Sequence, residues 1–226
     1  FDRDRDTVFM TMEFLEGAPL DELLREHPNG LPPEQAESAL RDISNALIYA
    51  HSHNIIHSDF KPGNIYVTKN KGSKVFDFGI ARAVSEGSAA HGAGEKTIFD
   101  AGTLGALTPA YASYEMLKGA EPAESDDLYA LGCVAYELYS GKHPFNKTPA
   151  DQALTKKLKP KRIKGLSRRQ WNALSGALEL KRENRTQTVD EFYKQFFGKA
   201  RMLIWALAAS VTAFIIGGGV YYQQYQ

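Results

Sequence analysis

The stretch Ile55–Arg82, IIHSDFKPGNIYVTKNKGSKVFDFGIAR, constrains what this chain can fold into more than any other part of it. It sets Asp59 and Asp77 eighteen positions apart, with Asn64 five residues after the first and Phe78-Gly79 directly after the second. Between them, Asn64 to Val67 and Lys74 to Phe76 have the composition of two short strands joined by the turn Lys69-Asn70-Lys71-Gly72. Such a hairpin holds Asn64 and Asp77 side by side. Two oxygen ligands fixed that way suit Mg²⁺, a hard cation that takes a few side-chain oxygens together with substrate phosphates. Asp59 lies just ahead, placed to face a hydroxyl. The stretch therefore predicts phosphoryl transfer.

The remaining chain supplies a mostly helical frame. Asp2 to Asp6 reads as a charged turn and Val8 to Phe14 as a strand ended by Gly17. Pro19 is a favoured first residue for the helix that follows. From Pro33 to His53, Ala36, Leu40, Ile43, Leu47 and Ala50 repeat at 4-3-4-3 spacing, one apolar stripe on a helix. After Arg82 a Gly/Ala/Ser-rich loop reaches about Leu107. Leu128 to Tyr139 is apolar nearly all round, the pattern of a helix buried on every side. Helical pieces continue to Phe197. The 226 residues suffice for one substantial domain. The balance of 27 basic against 27 acidic residues gives no reason to expect a nucleic-acid partner. The single cysteine, Cys133, excludes a disulfide framework.

The tail changes character. Met202 to Tyr222 is 21 residues without a charge, long enough at about 1.5 Å per residue to cross a hydrocarbon core of about 30 Å. Trp205 lies near one end, Tyr221 and Tyr222 at the other. Lys194, Lys199 and Arg201 precede the run, which puts the large domain in the cytoplasm and the protein in the inner membrane as a single-pass chain. The competing reading is a buried C-terminal core helix. Ala209, Ala213 and Gly217, at four-residue spacing, allow pairing into a homodimer. Lys156 to Arg169 carries eight basic residues and no acid; it reads either as a contact to anionic lipid or as a solvated loop. His51, His53 and His57 match no zinc template, so His57 reads as a packed histidine and the other two as helix-end residues.

Together these signals resemble the eukaryotic-like (Hanks-type) serine/threonine protein kinases of the bacterial membrane-anchored kind, from about Phe1 to Phe197. His57-Ser58-Asp59-Phe60-Lys61-Pro62-Gly63-Asn64 resembles H-R-D-x-K-x-x-N, and Asp77-Phe78-Gly79 matches D-F-G. Thr108, Tyr111 and Glu115 resemble the segment ending in A-P-E, and Asp127 to Gly132 the buried helix after it. Arg185 resembles the late arginine that pairs with that glutamate. Met12 to Gly17 is similar to the hinge between lobes. The resemblance implies an α+β, protein-kinase-like fold. Residues 1–12 would be a remnant of the N-lobe sheet, 13–198 the helical C-lobe, 199–201 a basic juxtamembrane link, 202–222 the membrane helix and 223–226 a stub outside.

It also implies roles. Asp59 would act as base, Lys61 would offset phosphate charge, and Thr108 would orient both. Asn64 and Asp77 would hold Mg²⁺ or Mn²⁺. Met12 would be gatekeeper, with the main chain of Glu13 and Leu15 holding the adenine of ATP above Tyr66. His57, Phe78, Gly79, Glu115, Asp127 and Arg185 would be structural. Protein Ser/Thr side chains are the implied acceptors. Three departures stand out. The Gly-rich loop, the V-A-I-K lysine and its glutamate partner are not in the sequence. On that ground the chain is expected to be an N-terminally truncated fragment, weak or inactive as given. Ser58 replaces the arginine of H-R-D that pairs with a phosphorylated loop, so activity independent of loop phosphorylation is expected. Ser113-Tyr114-Glu115 replaces A-P-E. Alternative readings are a pseudokinase scaffold and a small-molecule phosphotransferase of the aminoglycoside-kinase type.

Overall fold

The computed structural model describes residues 2–4, 7–9, 13–78, 82–83 and 108–198. Met12, Gly79, the segment 84–107 and residues 199–226 lie outside that set. The gatekeeper, membrane-span and homodimer expectations lie there with them. The chain divides into two units, Phe1–Phe196 and Phe197–Gln226, and the site belongs to the first.

Two short antiparallel strands, β1 (Asp2–Asp4) and β2 (Thr7–Phe9), pair with Arg3 opposite Val8. The charged turn expected over Asp2 to Asp6 is thus mostly strand. Of the strand expected over Val8 to Phe14, Val8 and Phe9 lie in β2, residues 10–12 lie outside the described residues, and Glu13 and Phe14 are not strand. Phe14 stands 86% exposed, with no strand partner among the described residues to satisfy its backbone groups. Gly17 does not end a strand but begins one, β3 (Gly17–Pro19), antiparallel to the strand Ile65–Thr68. A side chain there would put its Cβ 2.1 Å from the Val67 carbonyl oxygen, so only glycine allows this approach.

The hairpin lies within a residue of its sequence position. β5 (Ile65–Thr68) and β6 (Ser73–Val75) pair with Tyr66 opposite Lys74, completing a sheet in the order β3-β5-β6. Helix α1 (Leu20–Glu26) takes Pro19 as its N-cap. Helix α2 (Pro33–Ser52) buries Ala36, Leu40, Ile43, Leu47 and Ala50, as the stripe requires.

After the short helix α3 (Tyr114–Leu117) comes α4 (Glu124–Ser140), buried at every position from Ser125 to Leu138. Gly132 lets a neighbour close in: a Cβ there would lie 3.2 Å from Ala177 and 3.3 Å from Leu178. Helices α5 (Ala150–Thr155), α6 (Arg168–Ala177) and α7 (Val189–Phe197) complete the frame. The basic stretch runs as a loop from the end of α5 to α6, pinned by buried Ile163 and Leu166. The arrangement is α+β, helical with a small sheet. No helix among the described residues is long and apolar enough to cross a membrane.

Candidate active site

The chain leaves α2 through Asn54, in the left-handed region at φ 58°, and enters β4 (Ile55–Ile56), which pairs with β7 (Arg82–Ala83). The next residues wrap around one buried carboxylate. Asp127, on α4, is 1% exposed and accepts from the His57 N–H at 2.8 Å and the Ser58 N–H at 2.9 Å. His51 Nε2 donates to it as well, at 2.8 Å. These bonds hold Ser58 at φ 65°, a left-handed conformation that L-residues adopt only when their surroundings enforce it.

His57 has a defined tautomer. Its Nε2 lies 3.2 Å from the Phe76 carbonyl, which can only accept, and its Nδ1 lies 3.4 Å from the Asp59 N–H, which can only donate. The proton is therefore on Nε2. The ring packs edge-on against Phe60 (5.5 Å) and tilted against Phe78 (4.5 Å). His57 and His51 are both occupied in this way, which removes the metal reading for them. His51 is more than a helix-end residue: it continues the stripe four positions after Leu47 and points inward.

Asp59, partly buried, stands at the centre. Lys61 Nζ lies 2.5 Å from Asp59 Oδ2 and donates to Thr108 Oγ1 at 2.9 Å. The Thr108 N–H donates to Asp59 Oδ1 at 3.3 Å. Asn64 Nδ2 donates to the Asp59 carbonyl at 2.9 Å. Asp59, Lys61, Asn64 and Thr108 thus form one connected group. With Nδ2 committed, Asn64 keeps its Oδ1 as acceptor.

Across the hairpin, the Phe76 N–H donates to the Asn64 carbonyl at 3.0 Å. This sets Asp77, exposed and at φ 60°, at the end of the strand that lies beside Asn64. No three His, Cys, Asp or Glu residues form a metal cage among those described. A cation here would rest on the Asn64 and Asp77 oxygens and on ligands brought by the substrate. That donor set, hard oxygen and few in number, fits Mg²⁺ or Mn²⁺.

The remaining expected residues fall around this group. Tyr66 donates its hydroxyl to the Gly17 carbonyl at 2.9 Å, tying β5 to the 13–17 segment that carries Glu13 and Leu15. Glu13 is exposed and bonded to Lys71, whose ammonium holds the carboxyl below its usual range. Arg185 Nη2 donates to Glu115 Oε2 at 3.0 Å. The Arg185 guanidinium is otherwise filled by the carbonyls of Glu179, Ser125 and Leu180 at 2.8, 2.8 and 2.9 Å. Burial raises the Glu115 carboxyl, but the Arg182 N–H and the Arg185 charge outweigh it and leave it lowered.

Glu137, His143 and Asp126, the partners of the segment 108–113, went unnoticed in the sequence. The Tyr111 hydroxyl bonds Glu137, His143 Nε2 bonds the Ala110 carbonyl at 2.9 Å, and Ser113 Oγ bonds Asp126 at 2.7 Å. Burial pushes Glu137 up to about 7, against the opposing effects of the Tyr111 hydroxyl and the Lys147 charge. Burial pushes His143 down to about 4.

A family profile described as "Protein kinase domain" matches residues 1–199. Among curated proteins, the chain is 37% identical over 138 residues to "Serine/threonine-protein kinase PknB" of Mycolicibacterium smegmatis, covering 61% of this chain and 20% of that protein. The PknB of Mycobacterium tuberculosis is 35% identical over the same length and the same shares. "Cyclin-dependent kinase-like 5" of Homo sapiens is 35% identical over 154 residues, covering 68% of this chain and 15% of that protein. The chain spans about a fifth or less of the length of these relatives.

Proposed function

The chain belongs to the protein kinase domain family, and from that premise we propose that it transfers the γ-phosphoryl group of ATP to serine and threonine hydroxyls of proteins. One observation carries the reading: the Lys61 ammonium stands between Asp59 and Thr108, at 2.5 and 2.9 Å. A base and a cation from one loop therefore meet an acceptor-side hydroxyl that lies 47 positions beyond Lys61 in the sequence.

In the proposed reaction the acceptor oxygen forms a bond to the γ-phosphorus as the bond to the β–γ bridging oxygen breaks, and ADP leaves with that electron pair. Asp59 orients the attacking hydroxyl and takes its proton. Lys61 offsets charge on the transferring oxygens. Thr108 holds both side chains and faces the acceptor. Asn64 and Asp77 hold Mg²⁺ or Mn²⁺, which when bound neutralises phosphate charge. Tyr66 and the 13–17 main chain support adenine.

The uncharged run 202–222, preceded by Lys199 and Arg201, supports a single-pass inner-membrane anchor with this domain on the cytoplasmic side. Membrane fractionation tests it: full-length protein in the soluble fraction, with a 202–222 deletion behaving alike, rules the anchor out.

The enzymatic reading is tested with full-length protein, labelled ATP and a generic protein acceptor. Label on serine and threonine is the expected result. Label only on a small-molecule alcohol would instead make this a small-molecule phosphotransferase, and no transfer at all would leave a scaffold.

A further inference from the structure

Asp126 is 1% exposed and has no part in the chemistry above. Its carboxylate is nonetheless heavily bonded. Ser113 Oγ donates to Oδ1 at 2.7 Å, the Ala123 N–H donates to Oδ2 at 2.9 Å, and Arg182 Nη2 reaches both oxygens at 3.1 and 2.8 Å. The Arg182 N–H in turn donates to Glu115 Oε1 at 2.7 Å, and the other Glu115 oxygen holds Arg185. Arg185 Nη1 stands 3.8 Å from Asp126 Oδ1. Two acids and two bases close into one neutral, largely buried network. In such a network each member leaves its partners uncompensated if removed.

The network ties three stretches together: residues 113–115, the start of α4 and the turn Arg182–Asn184. It stands at one end of the segment 108–113. At the other end Thr108 bonds Lys61 and Asp59. Between them the Ala110 carbonyl is held by His143 and the Tyr111 hydroxyl by Glu137. Among the described residues, all four anchors come from outside the segment. Ser58, at the position where the family pattern has its phosphate-reading arginine, is buried with its hydroxyl unpartnered among the described residues.

We propose that Ser113, Asp126 and Arg182 are positioning residues that hold the acceptor-binding segment 108–113 in place for phosphoryl transfer without loop phosphorylation. The proposal rests on the kinase reading above. Ser113 and Arg182 act through Asp126, and Asp126 acts through the chain to Thr108.

The test uses the full-length protein. Ser113→Ala removes the hydrogen bond to Asp126 and the one that Ser113 Oγ accepts from the Met116 N–H, and should raise KM for the protein acceptor about tenfold, with KM for ATP held within about twofold. Ser113→Thr keeps the hydroxyl and should restore the acceptor KM. Phosphatase-treated wild type should keep its kcat/KM for the acceptor. Equal losses toward both substrates, an unchanged acceptor KM, or inactivity after phosphatase treatment each overturn the proposal. If the wild type transfers no phosphate, the kinase reading fails separately and amide exchange decides. Asp126→Asn must then speed exchange across Thr108 to Ser113 by about tenfold or more while the middle of α4 stays protected. Unchanged exchange there overturns it.

Discussion

The Tyr111 hydroxyl donates to both carboxylate oxygens of Glu137, at 2.9 and 3.1 Å. The same tyrosine ring meets His143 edge-on at 5.3 Å. The segment 108–113, whose Thr108 N–H bonds Asp59, is therefore flanked by two buried ionisable groups whose proton affinities burial shifts in opposite directions.

That arrangement fixes a pH signature. Glu137 is raised in the fold from 4.5 to about 7, so the stability it contributes is complete below pH 4.5 and is lost as pH rises through about 7. His143 is lowered from 6.5 to about 4, so its contribution is present above pH 6.5 and is lost as pH falls through about 4. Between pH 4.5 and 6.5 the two slopes oppose each other. Glu137→Gln keeps an acceptor for Tyr111 and removes the first slope. Relative to wild type, its unfolding free energy should rise from pH 4.5 to 7 by about 3 kcal/mol. Urea unfolding at the two pH values measures this, and parallel wild-type and variant profiles would refute the assignment.

Asp127 is the post around which His57 and Ser58 turn. Replacing it with Asn leaves one acceptor oxygen for the three donors that the carboxylate now satisfies. The expected loss is on the order of 3 kcal/mol, since each buried donor left unpaired costs about 1–3 kcal/mol. Chemical denaturation gives the number. A loss of activity should accompany it, because Asp59 follows Ser58 directly.

Arg185 has no exposed side-chain surface and makes four hydrogen bonds, one of them to Glu115. Arg185→Met should destabilise the fold by about 3–5 kcal/mol, the range for breaking a buried pair from one side. Arg185→Lys should recover little, because a single ammonium cannot reach the four acceptors that the planar fork reaches. Equal stability of the Lys variant and wild type would show that charge alone matters here.

What the sequence made legible was local. The hairpin could be read because its turn residues and its β-branched residues lie within eleven positions, Ile65 to Val75. The stripe of α2 and the all-round burial of α4 follow from one helical period each. β3 could not be read, because Gly17 pairs with Thr68 and nothing near Gly17 in the sequence announces that partner. The same holds for Asp126: beside Asp127 it looks like a second surface acid until Arg182, far along the chain, comes to meet it. The grouping of Asp59, Lys61 and Asn64 was visible as spacing, whereas the place of Thr108 in it came only through resemblance. His51 carried a missed signal, its four-residue step from Leu47.

The most direct measurement of the central claim is phosphoryl transfer by full-length Asp59→Asn under saturating ATP, with nucleotide affinity measured in parallel. Asn keeps the size of the side chain and can still bond Thr108, but it cannot take a proton. The account predicts kcat reduced by about 10²–10⁴, the range for losing general-base action, with ATP affinity nearly unchanged. Transfer at the wild-type rate would contradict it.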